Sequence, residues 1–224
     1  LEKHDVRNFV FSSSCTVYGE PKGEKEVSET TPKQAPESPY GFTKWMGEQI
    51  IADFHHSAPQ LKLMNLRYFN PVGAHPSARI GEFPIGKPNN LLPFVTQTAI
   101  GKQAHLTVFG NDYPTRDGSC IRDYIHVSDI ARAHELALAK LGSVNNQIFN
   151  LGTNAGYSVL QIIEETQKVL GQKVNFTIVN ERPGDPPSLI ALAHKAKEQL
   201  GWEPTYNLQD IITSVYAWRN NPRY

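Results

Sequence analysis

A tyrosine and a lysine stand four positions apart in the stretch SPYGFTK, residues 38–44. Ser38 and Pro39 are typical N-cap and first-turn residues, so a helix is predicted from 39 to about 54. Residues i and i+4 share one helical face, which would place Tyr40 beside Lys44. An ammonium near a phenol lowers the pKa of a tyrosine from about 10, so that it can act as a general base near neutral pH. Tyr40 and Lys44 are therefore a candidate catalytic pair.

Three serines close the apolar run that precedes this helix. Asn8 to Phe11 predict a strand that ends in Ser12, Ser13 and Ser14. Hydroxyls at the carboxyl ends of parallel strands line the ligand crevice of open α/β sheets. Ser14 is thus placed to hydrogen-bond the oxygen that Tyr40 would deprotonate. The alternative is a serine-rich loop, a surface tyrosine and a solvated lysine.

The rest of the chain alternates strands with helices. Strands are predicted at 8–14, 61–69, 106–110, 147–152 and 174–179, and helices at 39–54, 91–101, 126–141, 158–171, 193–200 and 208–218. Ser128 is predicted to cap the helix at 126–141, and Ser158 and Gly171 to bound the one at 158–171. This order favours an α/β fold, a partial Rossmann-type doubly wound parallel sheet with a smaller α/β substrate-binding lobe. We assign 1–70 and 120–157 to the sheet domain, and 71–119 and 158–224 to the lobe.

Composition excludes several classes of function. The 22 basic residues equal the 22 acidic ones, so no electrostatic argument supports a nucleic-acid or membrane partner. No apolar run approaches the length of a membrane span. The histidines lack ligand spacing, so no metal is expected. Cys15 and Cys120 form no CxxC pair, which predicts free thiols and a cytoplasmic protein.

Several stretches together resemble a known family. FSSSCTVYG, SPYGFTK, RYFNPVGAHP, PNNLLPF, VFGNDYPTRDGSCIRDYIHVSDIA, NLGTNAGYSV and RPGDPP occur in this order. They resemble the UDP-glucose 4-epimerases of the extended short-chain dehydrogenase/reductase superfamily. The resemblance implies a UDP-hexose substrate, bound NAD, inversion at C4 through a 4-keto sugar, a role in galactose metabolism, and a homodimer.

The resemblance also implies roles for individual residues. Tyr40 would take the 4′-hydroxyl proton, Lys44 would hold the nicotinamide ribose, and Ser14 would hydrogen-bond the reacting oxygen. Tyr68 and Phe69 match positions beside the nicotinamide. Positions that match contacts to the UDP-sugar are Asn70, Asn90, Leu91, Leu92, Thr107, Val108, Phe109, Arg122, Arg182, Asp185 and Leu189. Two arginines suit a diphosphate because the guanidinium offers a fork of donors. Asp123, Tyr124 and His126 are expected to be structural.

Two positions separate this chain from other enzymes of the superfamily. Sugar-nucleotide 4,6-dehydratases carry acidic residues, and UDP-glucuronate decarboxylases a glutamate, just before Val-Tyr-Gly. Here those positions are Cys15 and Thr16, which argues for epimerisation without elimination. Leu189 is smaller than the tyrosine of strict family members, so N-acetylated sugars stay open. Epimerases of UDP-glucuronate or UDP-pentose are further alternatives, although Asn70-Pro71-Val72-Gly73 differs from the usual glucuronate pattern.

One family motif is missing. None of the 16 glycines forms the GxxGxxG or GxGxxG turn that seats a dinucleotide pyrophosphate. We therefore expect the chain to lack the N-terminal half of the NAD-binding domain, with a sheet edge uncovered at Phe9 to Phe11. An inactive fragment that does not hold NAD is a second kind of alternative.

Overall fold

The computed structural model of the chain describes residues 1–21, 25–86, 88, 90–182 and 184–220. Short 3₁₀ turns lie at Glu2–His4 and Cys15–Tyr18, and a π-helical turn lies at Ala196–Leu200. The strands and helices are, in order, β1 (Asn8–Ser14), β2 (Glu26–Val27), α1 (Pro39–Ser57), β3 (Lys62–Tyr68), β4 (Asn70–Val72), α2 (Leu91–Ala99), β5 (Leu106–Phe109), β6 (Ile121–His126), α3 (Val127–Lys140), β7 (Gln147–Leu151), β8 (Gly156–Ser158), α4 (Val159–Leu170), β9 (Phe176–Val179), β10 (Ser188–Ala191) and α5 (Leu208–Asn220).

The central sheet is parallel and has the order β1–β3–β7. Successive side chains of a strand point to opposite faces, and both faces of this sheet are covered. On one face, Leu63 packs with Ile51 and Phe54 of α1. On the other face, Leu66 packs with Ala133 of α3. Because all three strands run the same way, their carboxyl ends meet at one edge. Among the described residues β1 pairs with β3 alone.

The smaller sheets carry the rest of the chain. β2–β10–β6–β4 run parallel, with β8 antiparallel to β6, and β5 pairs with β9. Helices α2, α4 and α5 pack together through Val95, Ile162 and Ile212, in one apolar cluster with Tyr124 of β6. The α/β class with parallel sheets is thereby confirmed. The division into two domains stays a prediction.

Most predicted elements are confirmed, with boundaries that shift by a few residues. Ser158 caps α4 in a full capping box, and Gly171 ends it in the left-handed conformation. The prediction of Ser128 as the cap of α3 was wrong: His126 is the N-cap, and its ring accepts a hydrogen bond from the Ser128 N–H. His126 takes this role because it ends β6 with an extended backbone. The predicted helix at 193–200 is observed as a helical segment over 194–200 that ends in the π-helical turn. Five strands (β2, β4, β6, β8, β10) were not predicted.

Candidate active site

Local sequence places Tyr40 and Lys44 in the first turns of α1. The Ser38 hydroxyl accepts a hydrogen bond from the Gly41 N–H at 3.1 Å, and Pro39 opens the helix. Lys44 Nζ donates to the carbonyl oxygen of Ser12 at 2.8 Å and lies 5.5 Å from the centroid of the Tyr40 ring. The Tyr40 side chain is 55% exposed. The pair therefore faces solvent at the carboxyl edge of the central sheet, where a ligand can reach it.

The three serines at the end of β1 have different partners. Ser14 Oγ accepts hydrogen bonds from the backbone N–H and the hydroxyl of Thr16, so neither bond uses the Ser14 hydroxyl hydrogen. Ser12 approaches Tyr68, and Ser13 bonds to a buried carboxylate. The start of α1 lies against the turn that Ser14 caps, because a Cβ at Gly41 would stand 3.2 Å from the Thr16 carbonyl. Ser14 and Tyr40 thus belong to adjoining segments.

Tyr68 ends β3 beside these groups. Its hydroxyl lies 2.8 Å from Ser12 Oγ and 2.5 Å from Nε2 of His134 on α3. Burial raises the pKa of Tyr68, and the nearby Tyr40 adds to the rise. Phe69, in contrast, is 4% exposed and packs inward. The sequence analysis did not identify His134 as part of this group, because no local pattern relates it to Tyr68, 66 positions away.

The predicted contacts for the nucleotide gather around β5, β6 and the segment after β9. Arg122 NH2 donates to Asp185 in a close ion pair, so the two residues proposed for diphosphate and ribose contact each other here. The Arg182 guanidinium lies 3.8 Å from the centroid of the Phe109 ring. Thr107 and Val108 lie on β5 beside it; Val108 is buried, and Thr107 is partly exposed. Asp185 connects the two arginines, since its side chain pairs with Arg122 and its backbone N–H donates to the Arg182 carbonyl oxygen at 3.3 Å.

Leu189 connects the two groups of residues. It lies opposite Arg122 in the β10–β6 ladder. Its side chain is buried in one apolar cluster with Cys15 and Phe69. Leu189 thus borders both the nucleotide contacts and the end of β1, where the sugar would lie.

The remaining predicted sugar contacts are less uniform. Asn90 precedes α2, and its amide nitrogen donates to Glu82 at 3.0 Å. Asn70 begins β4 opposite Tyr124. Leu91 is half-buried, whereas Leu92 is 1% exposed in the core. A contact from Leu92 to a ligand would therefore use its backbone N–H at the start of α2. Asn89 and Pro183 of the recognised motifs lie outside the described residues.

The charged motif before α3 is built into the fold. Asp123 is fully buried and accepts hydrogen bonds from the N–H and hydroxyl of Thr153 and from the Ala191 N–H. Burial raises the pKa of Asp123. The ring of His126 is also buried and stacks on Tyr206 with centroids 4.1 Å apart. These contacts join three segments of backbone and agree with the expected structural role.

Neither a metal centre nor a membrane span is found among the residues that the structure describes. Within those ranges, no group of three or more histidine, cysteine, aspartate and glutamate side chains could hold a metal ion. No described helix is long and apolar enough to cross a bilayer. Cys15 and Cys120 are free and buried.

A parallel α/β sheet that presents serines and a Tyr-Lys helix near its carboxyl edge, together with arginines on the smaller sheets, defines a Rossmann-type protein of the extended short-chain dehydrogenase/reductase class. The sequence matches the family model described as GDP-mannose 4,6 dehydratase over residues 1–215. The chain therefore belongs to the GDP-mannose 4,6 dehydratase family.

Within this family the chain is similar to UDP-glucose 4-epimerases. It is 48% identical over 222 residues to the enzyme of Bacillus subtilis and 49% identical over 219 residues to that of Yersinia enterocolitica. These alignments cover 99% and 97% of the chain, and the chain spans 65% of the length of either relative.

Solved structures agree in fold. A UDP-glucose 4-epimerase from Stenotrophomonas maltophila, with bound NAD and formylated UDP-arabinopyranose, has a TM-score of 0.94 at 44% identity, over 98% of this chain and 65% of that one. The Bifidobacterium longum enzyme in complex with NAD⁺ and UDP has a TM-score of 0.92 at 42% identity, over 99% of this chain and 66% of that one. The resemblance seen in the sequence motifs is thus confirmed for family and fold.

Proposed function

We propose that this protein is an NAD-dependent UDP-glucose 4-epimerase that interconverts UDP-galactose and UDP-glucose and so serves galactose metabolism. The observation that carries the proposal is the placement of Tyr40, Lys44 and Ser14 at one edge of the sheet. The similarity to epimerases along nearly the whole chain supports it.

The residues at this edge fit the nicotinamide end of NAD. Lys44 would hold the nicotinamide ribose with Tyr40, and Tyr68 would lie beside the ring. Phe69, whose side chain is buried, would contribute through its backbone. No residues of this sequence form the glycine-rich turn for the pyrophosphate, so the fit concerns that end of the cofactor alone. NAD, when bound, would accept the hydride from C4 of the sugar and return it to either face.

The protein's own groups would manage the proton and the sugar. Tyr40 takes the proton of the 4′-hydroxyl, and Lys44 Nζ lies beside it, 5.5 Å from the centroid of the Tyr40 ring. The Ser14 hydroxyl hydrogen, not used in its bonds with Thr16, donates to the same sugar oxygen. Arg122 and Arg182 hold the diphosphate while the 4-keto sugar turns its other face.

Dehydration fits these residues less well. Elimination of water needs an acid and a base beside the sugar, and the positions that would supply them hold Cys15 and Thr16. Burial raises the pKa of Cys15 to about 12, and the Thr16 hydroxyl is donated to Ser14. Neither group is equipped to exchange a proton near neutral pH.

Acceptance of N-acetylated UDP-hexoses is a second candidate, favoured by Leu189. A leucine where strict members carry tyrosine leaves volume beside the sugar position. A UDP-Glc/GlcNAc 4-epimerase from Campylobacter jejuni shares the fold, with a TM-score of 0.80 at 38% identity.

We further propose that the protein is cytoplasmic and homodimeric. Both cysteines are free thiols, as is usual in a reducing compartment. Phe42, Met46 and Ile50 form an exposed apolar row on α1 that a second copy could cover. Sedimentation of wild type and of Ile50→Glu would test this: a monomeric wild type contradicts it.

The deciding experiment is conversion of UDP-galactose to UDP-glucose by the chain with excess NAD. Tyr40→Phe should lower kcat by roughly 10²- to 10⁴-fold and leave the affinity for UDP unchanged. Tyr216→Phe, which removes a hydroxyl from α5, is the matched control. Unchanged turnover in Tyr40→Phe would refute the base assignment. No turnover in the wild type would favour a chain that does not hold NAD by itself.

A further inference from the structure

The helix that carries Tyr40 and Lys44 is attached to the sheet in an unusual way. Gly41 and Glu48 are its buried residues, whereas the large side chains of Met46 and Ile50 are 54% and 67% exposed. Gly47 permits close approach, since a Cβ there would lie 2.5 Å from the Phe11 ring. Near the catalytic pair, a buried carboxylate therefore takes part in the contact between helix and sheet, beside the partly buried Trp45.

Glu48 collects hydrogen bonds from several elements. Arg67 of β3 donates to its two oxygens at 2.8 and 2.6 Å, and Ser13 of β1 donates at 2.6 Å. Lys33, from the loop before α1, lies 3.4 Å away. The side chains of Glu48 and Arg67 are each 2% exposed. A two-point contact between a fork of donors and a carboxylate fixes both distance and orientation.

The network continues across the sheet in register. Ser13 lies opposite Arg67, and Arg67 lies opposite Asn150 of β7. Arg67 also donates to the Tyr18 hydroxyl at 2.9 Å, which in turn donates to Asn150 at 2.6 Å. All three strands of the central sheet are thus tied to Glu48 by buried polar contacts.

Each member adjoins a residue of the proposed reaction. Glu48 follows Lys44 by one helical turn, Ser13 precedes Ser14, and Arg67 precedes Tyr68. Side chains four apart in a helix lie one above the other, so a displacement at Glu48 is passed directly to Lys44. None of these buried groups is placed to touch a substrate.

We propose that Glu48, through Arg67 and Ser13, is a positioning residue that sets the distance and angle of the Tyr40–Lys44 helix against the ends of β1 and β3. This inference rests on the proposed epimerase function. Its consequence is that replacing the ion pair by apolar residues preserves the fold but misplaces the catalytic groups. A misplacement of about 1 Å costs on the order of 100-fold in rate.

The test compares Glu48→Leu/Arg67→Met and Ser13→Ala with wild type. The matched control is Asp53→Asn, which removes an exposed carboxylate from the same helix. We expect the double variant to melt within a few degrees of wild type, with kcat lowered about 100-fold and KM for UDP-galactose nearly unchanged. Ser13→Ala removes one oxygen atom and one hydrogen bond to Glu48, so it should lower kcat by a smaller factor. Asp53→Asn should leave kcat and KM unchanged.

A second readout does not depend on turnover. NMR of tyrosine labelled at ¹³Cζ, with the resonance of Tyr40 assigned through Tyr40→Phe, reports its surroundings in the absence of substrate. The Tyr40 resonance should move in the double variant and in Ser13→Ala, while that of Tyr216 on α5 stays in place. An inactive wild type would count against the epimerase function. The Tyr40 resonance would still test whether Glu48 positions the Tyr40–Lys44 helix, because it is measured without substrate. A folded variant with wild-type kcat and an unmoved Tyr40 resonance would overturn the proposal, as would loss of activity in Asp53→Asn.

Discussion

Removing either half of the Glu48–Arg67 ion pair should destabilise the fold more than removing both halves. Glu48→Leu leaves the Arg67 guanidinium buried, with two of its N–H groups deprived of their acceptor. Arg67→Met leaves the Glu48 carboxylate buried, with Ser13 and the more distant Lys33 as its remaining partners. The double variant leaves neither charge in the interior.

The magnitudes follow from this burial. Breaking a buried pair costs about 3–5 kcal/mol, because an uncompensated charge stays in the interior. For a domain of this size such a loss lowers Tm by roughly 10 °C. Replacing both partners by apolar residues of similar volume is often nearly neutral. Here the Ser13 and Tyr18 hydroxyls each lose one bond, which adds about 1–2 kcal/mol.

A double-mutant cycle measures the coupling between Glu48 and Arg67. It requires the free energy of unfolding, from urea and heat, of wild type, both single variants and the double variant. The expected order of stability is wild type, then the double variant, then the two single variants. Asp53→Asn should unfold within about 0.5 kcal/mol of wild type, as is usual for surface substitutions. If the losses of the single variants simply add in the double variant, the two side chains are not energetically coupled and the reasoning is wrong.

Three further outcomes are expected. Burial alone would raise the pKa of Glu48, but the hydrogen bonds and charge of Arg67 outweigh it and hold the pKa below the usual value of a glutamate. The stabilisation by the Glu48 carboxylate is therefore present above the unfolded-state pKa and is lost as the pH falls through the lower folded-state pKa. The cost of Glu48→Gln in urea unfolding should thus shrink in acid, and a constant cost contradicts this. Cys15, with its pKa raised to about 12 by burial, should resist iodoacetamide in the folded chain, as mass spectrometry over time would reveal; rapid labelling without unfolding would contradict its burial. Leu189→Tyr should fill the volume beside the sugar, and so abolish any conversion of UDP-N-acetylglucosamine while UDP-glucose conversion persists. Equal losses of activity on both substrates would show that residue 189 does not select sugars by size.

Elements with strong local signals were predictable from the sequence. Ser158 with Gln161 three residues later specifies the start of α4, and Gly171 specifies its end, because both signals act through backbone groups within one turn. The apolar runs of β1 and β3 are long enough to be recognised as strands between polar segments. Strands such as β4 and β8, of three residues each, carry no such pattern and exist because a neighbour supplies the hydrogen bonds.

The candidate site divides in the same way. The spacing of Tyr40 and Lys44 already implies one helical face, and the chemistry of a phenol beside an ammonium follows from residue types alone. In contrast, Arg122 pairs with Asp185 across 63 positions of sequence, and no local sequence pattern predicts this ion pair.

Glu48 marks the limit of sequence reasoning most clearly. A glutamate in the middle of a helix is ordinarily solvated, and the large apolar side chains of its neighbours Met46 and Ile50 would ordinarily be buried. This chain reverses both expectations. The reversal depends on Arg67 and Ser13, which reach Glu48 because parallel pairing places β1 and β3 side by side beneath α1. The amino-acid order therefore specifies which reactive groups share a helix or a strand end. Whether a charge is buried or exposed was settled by the folded chain, because the cost of desolvation depends on partners that arrive from distant segments.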